Sequence, residues 1–226
     1  MRLSKRLALI AGMVQSGSKV CDVGTDHGYL PVFLYKSGKC ASVCATDIRE
    51  KPYENARKNI EAAGISGIKL FLCDGLESIT RDMADTIIIA GMGGEVISGI
   101  IERAQFLRDD TVTLIIQPTT SADKLREYLS EIGFVVVTER AVEDNGKIYS
   151  VMKCHFAGIP YPIDLTRKAV GLITPDYDEG RAYIEKQYNI ALKRAEELEN
   201  TNKNTFAYFE SMRLSTELKK LLDRRK

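Results

Sequence analysis

The 226-residue chain has no tryptophan, only two histidines, and five cysteines without a C-x-x-C pair. So few imidazoles and such cysteine spacing leave no recognisable zinc-ligand pattern, and no metal is expected. Cys21, Cys73 and Cys154 fall inside strand-like apolar runs, where a free thiol behaves as a small hydrophobe; a reducing, cytoplasmic compartment is the expectation. Charge of one sign is also missing. Thirty-two Lys/Arg against 31 Asp/Glu give a net charge of +1, so a nucleic-acid partner would need a local basic patch rather than a whole-molecule field. No apolar run approaches the roughly 20 residues of a membrane span, and no membrane partner is expected. The N-terminal MRLSKRLALIAGMV has basic residues before an apolar stretch, but Gly12 interrupts it and a cleavage site is lacking, so it reads as an amphipathic helix rather than a leader. What remains is 44% hydrophobic, ample for a packed core of one ordinary domain with an appendage, or of two small domains.

From Lys19 to Phe156 short β-rich runs alternate with helical stretches. KVCDVG, SVCATDI, IKLFLCDG, DTIIIAG and TVTLIIQP are nearly continuously apolar, as parallel strands covered on both faces must be. YLPVFLYKSG, KPYENARKNIEAAG, EVISGIIERAQFLR and SADKLREYLSEIG separate or follow them as helices, with Gly64 and Gly133 as C-terminal stops. GFVVVTERAVE and KIYSVMKCHF, joined through Asn145-Gly146, form a hairpin. Together these predict a seven-stranded open α/β sheet ending in an antiparallel hairpin, with ligands at the carboxyl ends of the strands. Beyond Pro160 the pattern changes: 161–226 carries 13 Lys/Arg and 11 Asp/Glu with few β signals. Ile184, Tyr188, Ala191, Ala195 and Leu198, then Ala207, Ser211, Leu214, Leu218 and Leu221, follow a coiled-coil seam, with Phe206 and Phe209 widening the second stripe. ENTNKN would join an αα-hairpin. The expected division is therefore a 1–160 sheet domain and a 161–226 helical hairpin.

Three strand ends carry an acidic turn. In Asp22-Val-Gly24-Thr-Asp26-His27-Gly28, Gly24 permits a sharp turn and Gly28 a close helix start, but Asp26 stands where a dinucleotide fingerprint has glycine. A carboxylate there repels pyrophosphate resting on a helix N-terminus and suits a cationic, phosphate-free adenosine cofactor such as S-adenosylmethionine. Asp47 closes the second strand, where a carboxylate accepts ribose hydroxyls or else caps the following helix. Asp74-Gly75 follows the third, offering an acceptor for the adenine amine beside room for the ring. The fourth loop, AGMGGE, reads as a bare glycine turn open to a flat substrate, with Glu95 opening the next helix. The fifth offers Gln117, a base-edge reader or a helix cap, and Pro118, a rigid apolar wall.

LSKRLALIA, DVGTDHGYLP, ATDIREKPYENARKN, CDGLE, AGMGGE and QP together closely resemble the bacterial TrmK family, tRNA methyltransferases acting on N1 of the adenine at position 22. The resemblance covers most of the chain. It implies a class I S-adenosylmethionine-dependent methyltransferase fold of Rossmann-like type with a C-terminal coiled-coil-like domain, tRNA as substrate, S-adenosylhomocysteine as product and no obligatory protein partner. The cofactor contacts it implies are Asp22, Gly24, His27, Gly28, Asp47, Ile48, Asp74, Gly75, Gly91 and Met92. Asp26, Tyr29 and Glu95 would surround the target base with Gln117 on its edge, and Arg6, Gly93, Gly94 and Pro118 would complete the substrate side. Tyr29 could stack on the base or pack under its loop. The N1 lone pair lies in the ring plane, so positioning and electrostatics suffice and no general base is obligatory. Arg2, Lys5, Arg6, Lys193, Arg194, Lys219, Lys220, Arg224 and Arg225 are candidate RNA contacts. A methyltransferase of another nucleoside or a small molecule, and a non-catalytic adenosine-ligand sensor, share the same cofactor residues.

Overall fold

The computed structural model describes residues 3–223; Arg2, Arg224 and Arg225 lie outside the described residues. All seven expected strands form one sheet: β1 (Lys19–Val23), β2 (Ser42–Asp47), β3 (Ile68–Leu72), β4 (Thr86–Gly93), β5 (Thr113–Thr120), β6 (Phe134–Asp144) and β7 (Lys147–Phe156). Their order is β3-β2-β1-β4-β5-β7-β6, the first five parallel, with β7 antiparallel to both β5 and β6. The unbroken apolar runs have the expected cause. On β4, Ile87 and Ile89 face one buried cluster with α4 (Gly94–Arg103) and α5 (Ala122–Glu131), while Ile88 faces a second with α1 (Lys5–Met13), α2 (Tyr29–Lys36) and α3 (Glu50–Ala62).

Two strands run further than the sequence suggests. β4 continues through the glycine run to Gly93, its pairing with β5 shifting register between Ala90 and Met92, and β5 continues through Gln117 and Pro118 to Thr120. The expected bare turn is thus a bulged strand end, and α4 starts at Gly94 itself.

The tail comprises α6 (Leu165–Val170), α7 (Asp178–Asn202) and α8 (Phe206–Asp223). Ile184, Ala191, Ala195, Ser211 and Leu218 of the expected seam are buried. Phe206 and Phe209 do not widen it: they are 78% and 59% exposed, and Tyr208 and Ser215 are buried in their place. The buried set Tyr208, Ser211, Ser215, Leu218 keeps 3-4-3 spacing, offset by two positions from Phe206 and one from Phe209.

The tail is fastened to the sheet in two ways. Ala141 of β6 shares an apolar cluster with Ala169, Val170, Ile173, Tyr183, Ile184 and Leu218. Beside it, buried Arg126 of α5 donates to Glu139 Oε1 at 2.7 Å, to Tyr183 Oη at 2.9 Å, and to the Lys168 and Ala169 carbonyls at 2.9 and 3.1 Å. The second Glu139 oxygen accepts the Leu172 N–H at 3.0 Å. Every oxygen of this buried carboxylate is engaged, as burial of an ion pair demands.

Candidate active site

A cleft of about 600 Å³ opens at the carboxyl ends of β1 to β4, bounded by α1 on one side and the β6–β7 turn on another. Its floor follows from how the strand ends are tied together. The Gly24 and Thr25 amides both donate to the Thr46 carbonyl, at 2.8 and 3.0 Å, folding the first loop over β2. The Asp26 N–H then donates to Asp47 Oδ2 at 3.2 Å, while Asp47 Oδ1 accepts the Arg49 N–H at 3.0 Å. Asp47 is buried, held by two amides, and keeps its remaining lone pairs for the cleft.

Asp26 adopts φ 54°, unusual for a residue with a side chain, and its carboxylate stands half-exposed 3.4 Å from His27 Nε2. The His27 and Tyr29 rings stack at 5.2 Å and 15°. Gly28, at φ 68°, precedes α2, and a side chain there would press on the Ala56 backbone at 3.3 Å. Its absence therefore lets α2 and α3 approach each other, and Gly28 itself does not line the cleft.

Asp22 lies at the centre, inside β1 and buried. Burial pushes its carboxyl up to about 6; the nearby Thr25 hydroxyl and Arg6 oppose the rise, and the Asp47 carboxylate adds to it. Thr25 Oγ1, buried on the same wall beside Asp22, makes no full hydrogen bond within the protein. Asp74 lines the cleft with its carboxylate shared by Arg103 at 3.1 Å, an exposed pair that a ligand can displace. Gly75 follows, its carbonyl held by Thr46 Oγ1 at 2.8 Å. Ile48 and Met92 complete the apolar wall, and the Met92 methyl occupies the space a Gly24 side chain would need.

Arg6 reaches the cleft from α1. Its Nη1 donates to Gln117 Oε1, its Nε lies 3.8 Å from Asp144 Oδ2, and its guanidinium lies 5.8 Å from the centre of the Tyr149 ring. Gln117 Oε1 also accepts the Gly91 N–H at 3.1 Å, and its Nε2 donates to the Pro118 carbonyl at 2.8 Å.

Twelve of the expected site residues therefore line one cleft: Arg6, Asp22, Gly24, Asp26, His27, Tyr29, Asp47, Ile48, Asp74, Gly75, Gly91 and Met92. The rest are placed differently. Gln117 is fully buried with its amide engaged, so it holds Arg6 and Gly91 and cannot reach a base edge. Pro118 is buried outside the cleft, on the groove between the β5–α5 connection and α7. Gly93 and Gly94 face Thr120 and Ser121; a Cβ on Gly94 would lie 2.5 Å from the Ser121 carbonyl oxygen, so this glycine serves packing of α4 on β5. Glu95 points to solvent and pairs with Lys124 at 3.2 Å. These five miss the cleft because Ala90 to Gly93 of β4 stay paired with Gln117 to Thr120 of β5.

Sequence reading missed Thr25, Val96, Ile100, Asp144 and Asn145, which also line the cleft. Val96 and Ile100, four apart on α4, were legible as one helical face; nothing local showed that the hairpin turn reaches the site. No cluster of His, Cys, Asp or Glu able to hold a metal occurs among the described residues, and none of their helices is long and apolar enough to cross a membrane.

The donor set fits S-adenosylmethionine. Two buried carboxylates face the cleft where a cationic ligand would lie, an unpartnered hydroxyl stands between them in sequence, and no glycine-rich phosphate cradle is present in the first loop. Sheet order, acidic strand ends and terminal hairpin define a class I S-adenosylmethionine-dependent methyltransferase.

Comparison with known proteins narrows the class. The family model described as "Methyltransferase domain" matches residues 3–152. The chain is 35% identical over 153 residues to the Bacillus subtilis tRNA (adenine(22)-N(1))-methyltransferase, an alignment spanning 67% of this chain and 64% of that enzyme. Its fold is similar to the solved Bacillus subtilis M1A22 tRNA methyltransferase TrmK, with a TM-score of 0.85 at 28% identity over 98% of this chain and 99% of that one. Streptococcus pneumoniae Sp1610, solved in complex with S-adenosyl-L-methionine, gives 0.83 at 31% identity, over 98% of this chain and 100% of that one. The chain belongs to the methyltransferase-domain family and, within it, to TrmK.

Proposed function

We propose that this cleft transfers the methyl group of S-adenosylmethionine to N1 of the adenine at position 22 of tRNA, in the cytoplasm. The observation that carries the reading is the polarity of the cleft: buried carboxylates Asp22 and Asp47 on the floor, and Arg6 with the stacked His27–Tyr29 pair at the rim. The names of the relatives supply the nucleoside and its position.

When bound, S-adenosylmethionine supplies an electrophilic methyl on a cationic sulfur. The chain's own residues then do the rest. Asp47 accepts the ribose hydroxyls, Asp74 the adenine amine, and Gly75 leaves room for the ring. Asp22 faces the cationic end, with Gly24, Ile48, Gly91 and Met92 shaping the walls. Tyr29 offers a stacking surface for the incoming base. Asp26, half-exposed on the cleft wall beside His27, would serve either cofactor or base. No proton need be removed from N1, so no residue is assigned as general base. Adenine inside folded tRNA must leave its stack to enter.

The same reading divides the chain at about residue 160 into a methyltransferase domain and a helical arm for the tRNA body. Lys5, Arg194 and Lys219 are exposed without an ion-pair partner among the described residues, whereas Lys193 and Lys220 face Glu197 and Glu217 at 3.8 and 2.9 Å. Incubating the protein with labelled S-adenosylmethionine and unmodified tRNA, then mapping the product, tests the proposal. N1-methyladenosine at position 22 is expected; label on another nucleoside, or none, refutes it.

A further inference from the structure

Methylation at N1 leaves the Watson–Crick edge of adenine facing the methyl donor, so a protein group that distinguishes adenine there must read its other polar edge, N6 and N7. A side-chain amide is the bidentate complement of that edge, donating to N7 and accepting from N6. Gln117 cannot serve, being fully buried with its oxygen accepting from Arg6 and Gly91. Among the residues lining the cleft, Asn145 alone carries a side-chain amide, and it makes no hydrogen bond among the described residues.

Its position follows from the strands. β7 is antiparallel to β5 and β6 antiparallel to β7, so β6 runs with the parallel strands and its final turn emerges at the cofactor end of the sheet. β6 and β7 are the longest strands, 11 and 10 residues, and pair as far as Asp144↔Lys147; a register shift between Val136 and Thr138 bends the ribbon. Asp144 is anchored by Arg6, which Gln117 pins from below. Asn145 is thus carried on a tight turn, at φ 52° with Gly146 at φ 72°, whose base is braced across the cleft.

We infer that Asn145, at the tip of the β6–β7 hairpin, recognises the N6/N7 edge of the target adenine and sets the base specificity of the reaction. This rests on the proposed activity. The competing role is purely conformational, since Asn-Gly is what a tight hairpin turn requires. The variants separate the two: Asn145→Gly and Asn145→Asp both suit a positive φ, but the first removes the amide and the second removes its donor.

The test measures kcat/KM on a tRNA transcript with adenine at position 22 and on one carrying 7-deazaadenine there, which lacks the N7 acceptor. Both variants should keep the wild-type Tm and S-adenosylmethionine affinity while losing about 10-fold to 100-fold in kcat/KM, the size of one bidentate base contact. The wild type should lose a comparable factor on the 7-deaza transcript, and Asn145→Gly no further factor. Wild-type rates in both variants, or an equal 7-deaza penalty with and without Asn145, overturn the assignment while leaving the activity intact. A wild type that methylates neither transcript at N1 overturns the activity and this assignment with it.

Discussion

Replacing Asp22 by asparagine should stabilise the free protein and weaken its cofactor binding, both in a pH-dependent way. Asp22 is buried inside β1, with a carboxyl pushed up to about 6 from the 3.8 of an unburied one. Between those values the folded chain keeps a proton that the unfolded chain has lost. Folding stability contributed by this group is therefore intact below about pH 4 and falls as pH rises through 6. Two units correspond to about 3 kcal/mol at pH 7, or about 6–12 °C in Tm for a chain of this size. The amide introduced by Asp22→Asn does not ionise and escapes this loss. The difference in Tm between Asp22→Asn and wild type, followed by thermal denaturation without cofactor from pH 4.5 to 7.5, should swing toward the variant by about 4–8 °C, about a third of the loss having already occurred below pH 4.5. In the wild type a cation binding beside Asp22 expels its proton, so S-adenosylmethionine affinity by calorimetry should tighten from pH 5 to pH 6.5 and then level off. The variant should bind more weakly and lose that slope. A Tm difference independent of pH, or an unchanged affinity profile in the variant, refutes the electrostatic role given to Asp22.

Asp47→Ala removes two amide anchors and the ribose acceptor, and calorimetry should show S-adenosylmethionine binding weakened by at least about 10-fold, the loss of one charged hydrogen bond; unchanged affinity would show the ribose lies elsewhere. Gly94→Ala places a methyl 2.5 Å from the Ser121 carbonyl and should cost about 1–3 kcal/mol by chemical denaturation, whereas a neutral change would mean α4 is free to shift. Arg126→Met strands the buried Glu139 carboxylate and should cost about 3–5 kcal/mol, with Glu139→Leu in the same chain restoring most of it; failure of the second change to rescue would place the loss in the Tyr183 and carbonyl contacts instead.

The seven strands and the closing hairpin were legible because both faces of β1, β4 and β5 are covered, which writes unbroken apolar runs into the sequence. The acidic strand ends were legible for the same reason, since each run stops abruptly at Asp47, at Cys73-Asp74 or within DVG. What failed was wherever a partner, not the local sequence, decides. Gly91 to Gly94 read as a loose turn, yet pairing of Met92 with Pro118 and Gly93 with Thr120 holds the first three as strand, and α4 begins at Gly94. On α8, residues 206, 208 and 209 offer two apolar stripes, and packing against α7 selects the one through Tyr208. Asn145 was visible only as turn chemistry, because strand length and a register shift far from it determine that the turn overhangs the cleft.

Methyl transfer to an adenine N1 moves one positive charge from sulfur to base without creating any. A site for it therefore needs an anionic frame that stays ionised through the transfer. On the proposed reading Asp47, and Asp22 once the bound cation has expelled its proton, provide that frame on the donor side, with half-exposed Asp26 nearer the mouth. Arg6, which reaches in from α1, is held by Gln117, Asp144 and Tyr149, and these contacts fix its guanidinium at one place in the cleft. The buried amide of Gln117 thus acts at one remove: by fixing Arg6 and the Gly91 N–H with a single oxygen, it keeps the substrate side and the donor side of the cleft in register.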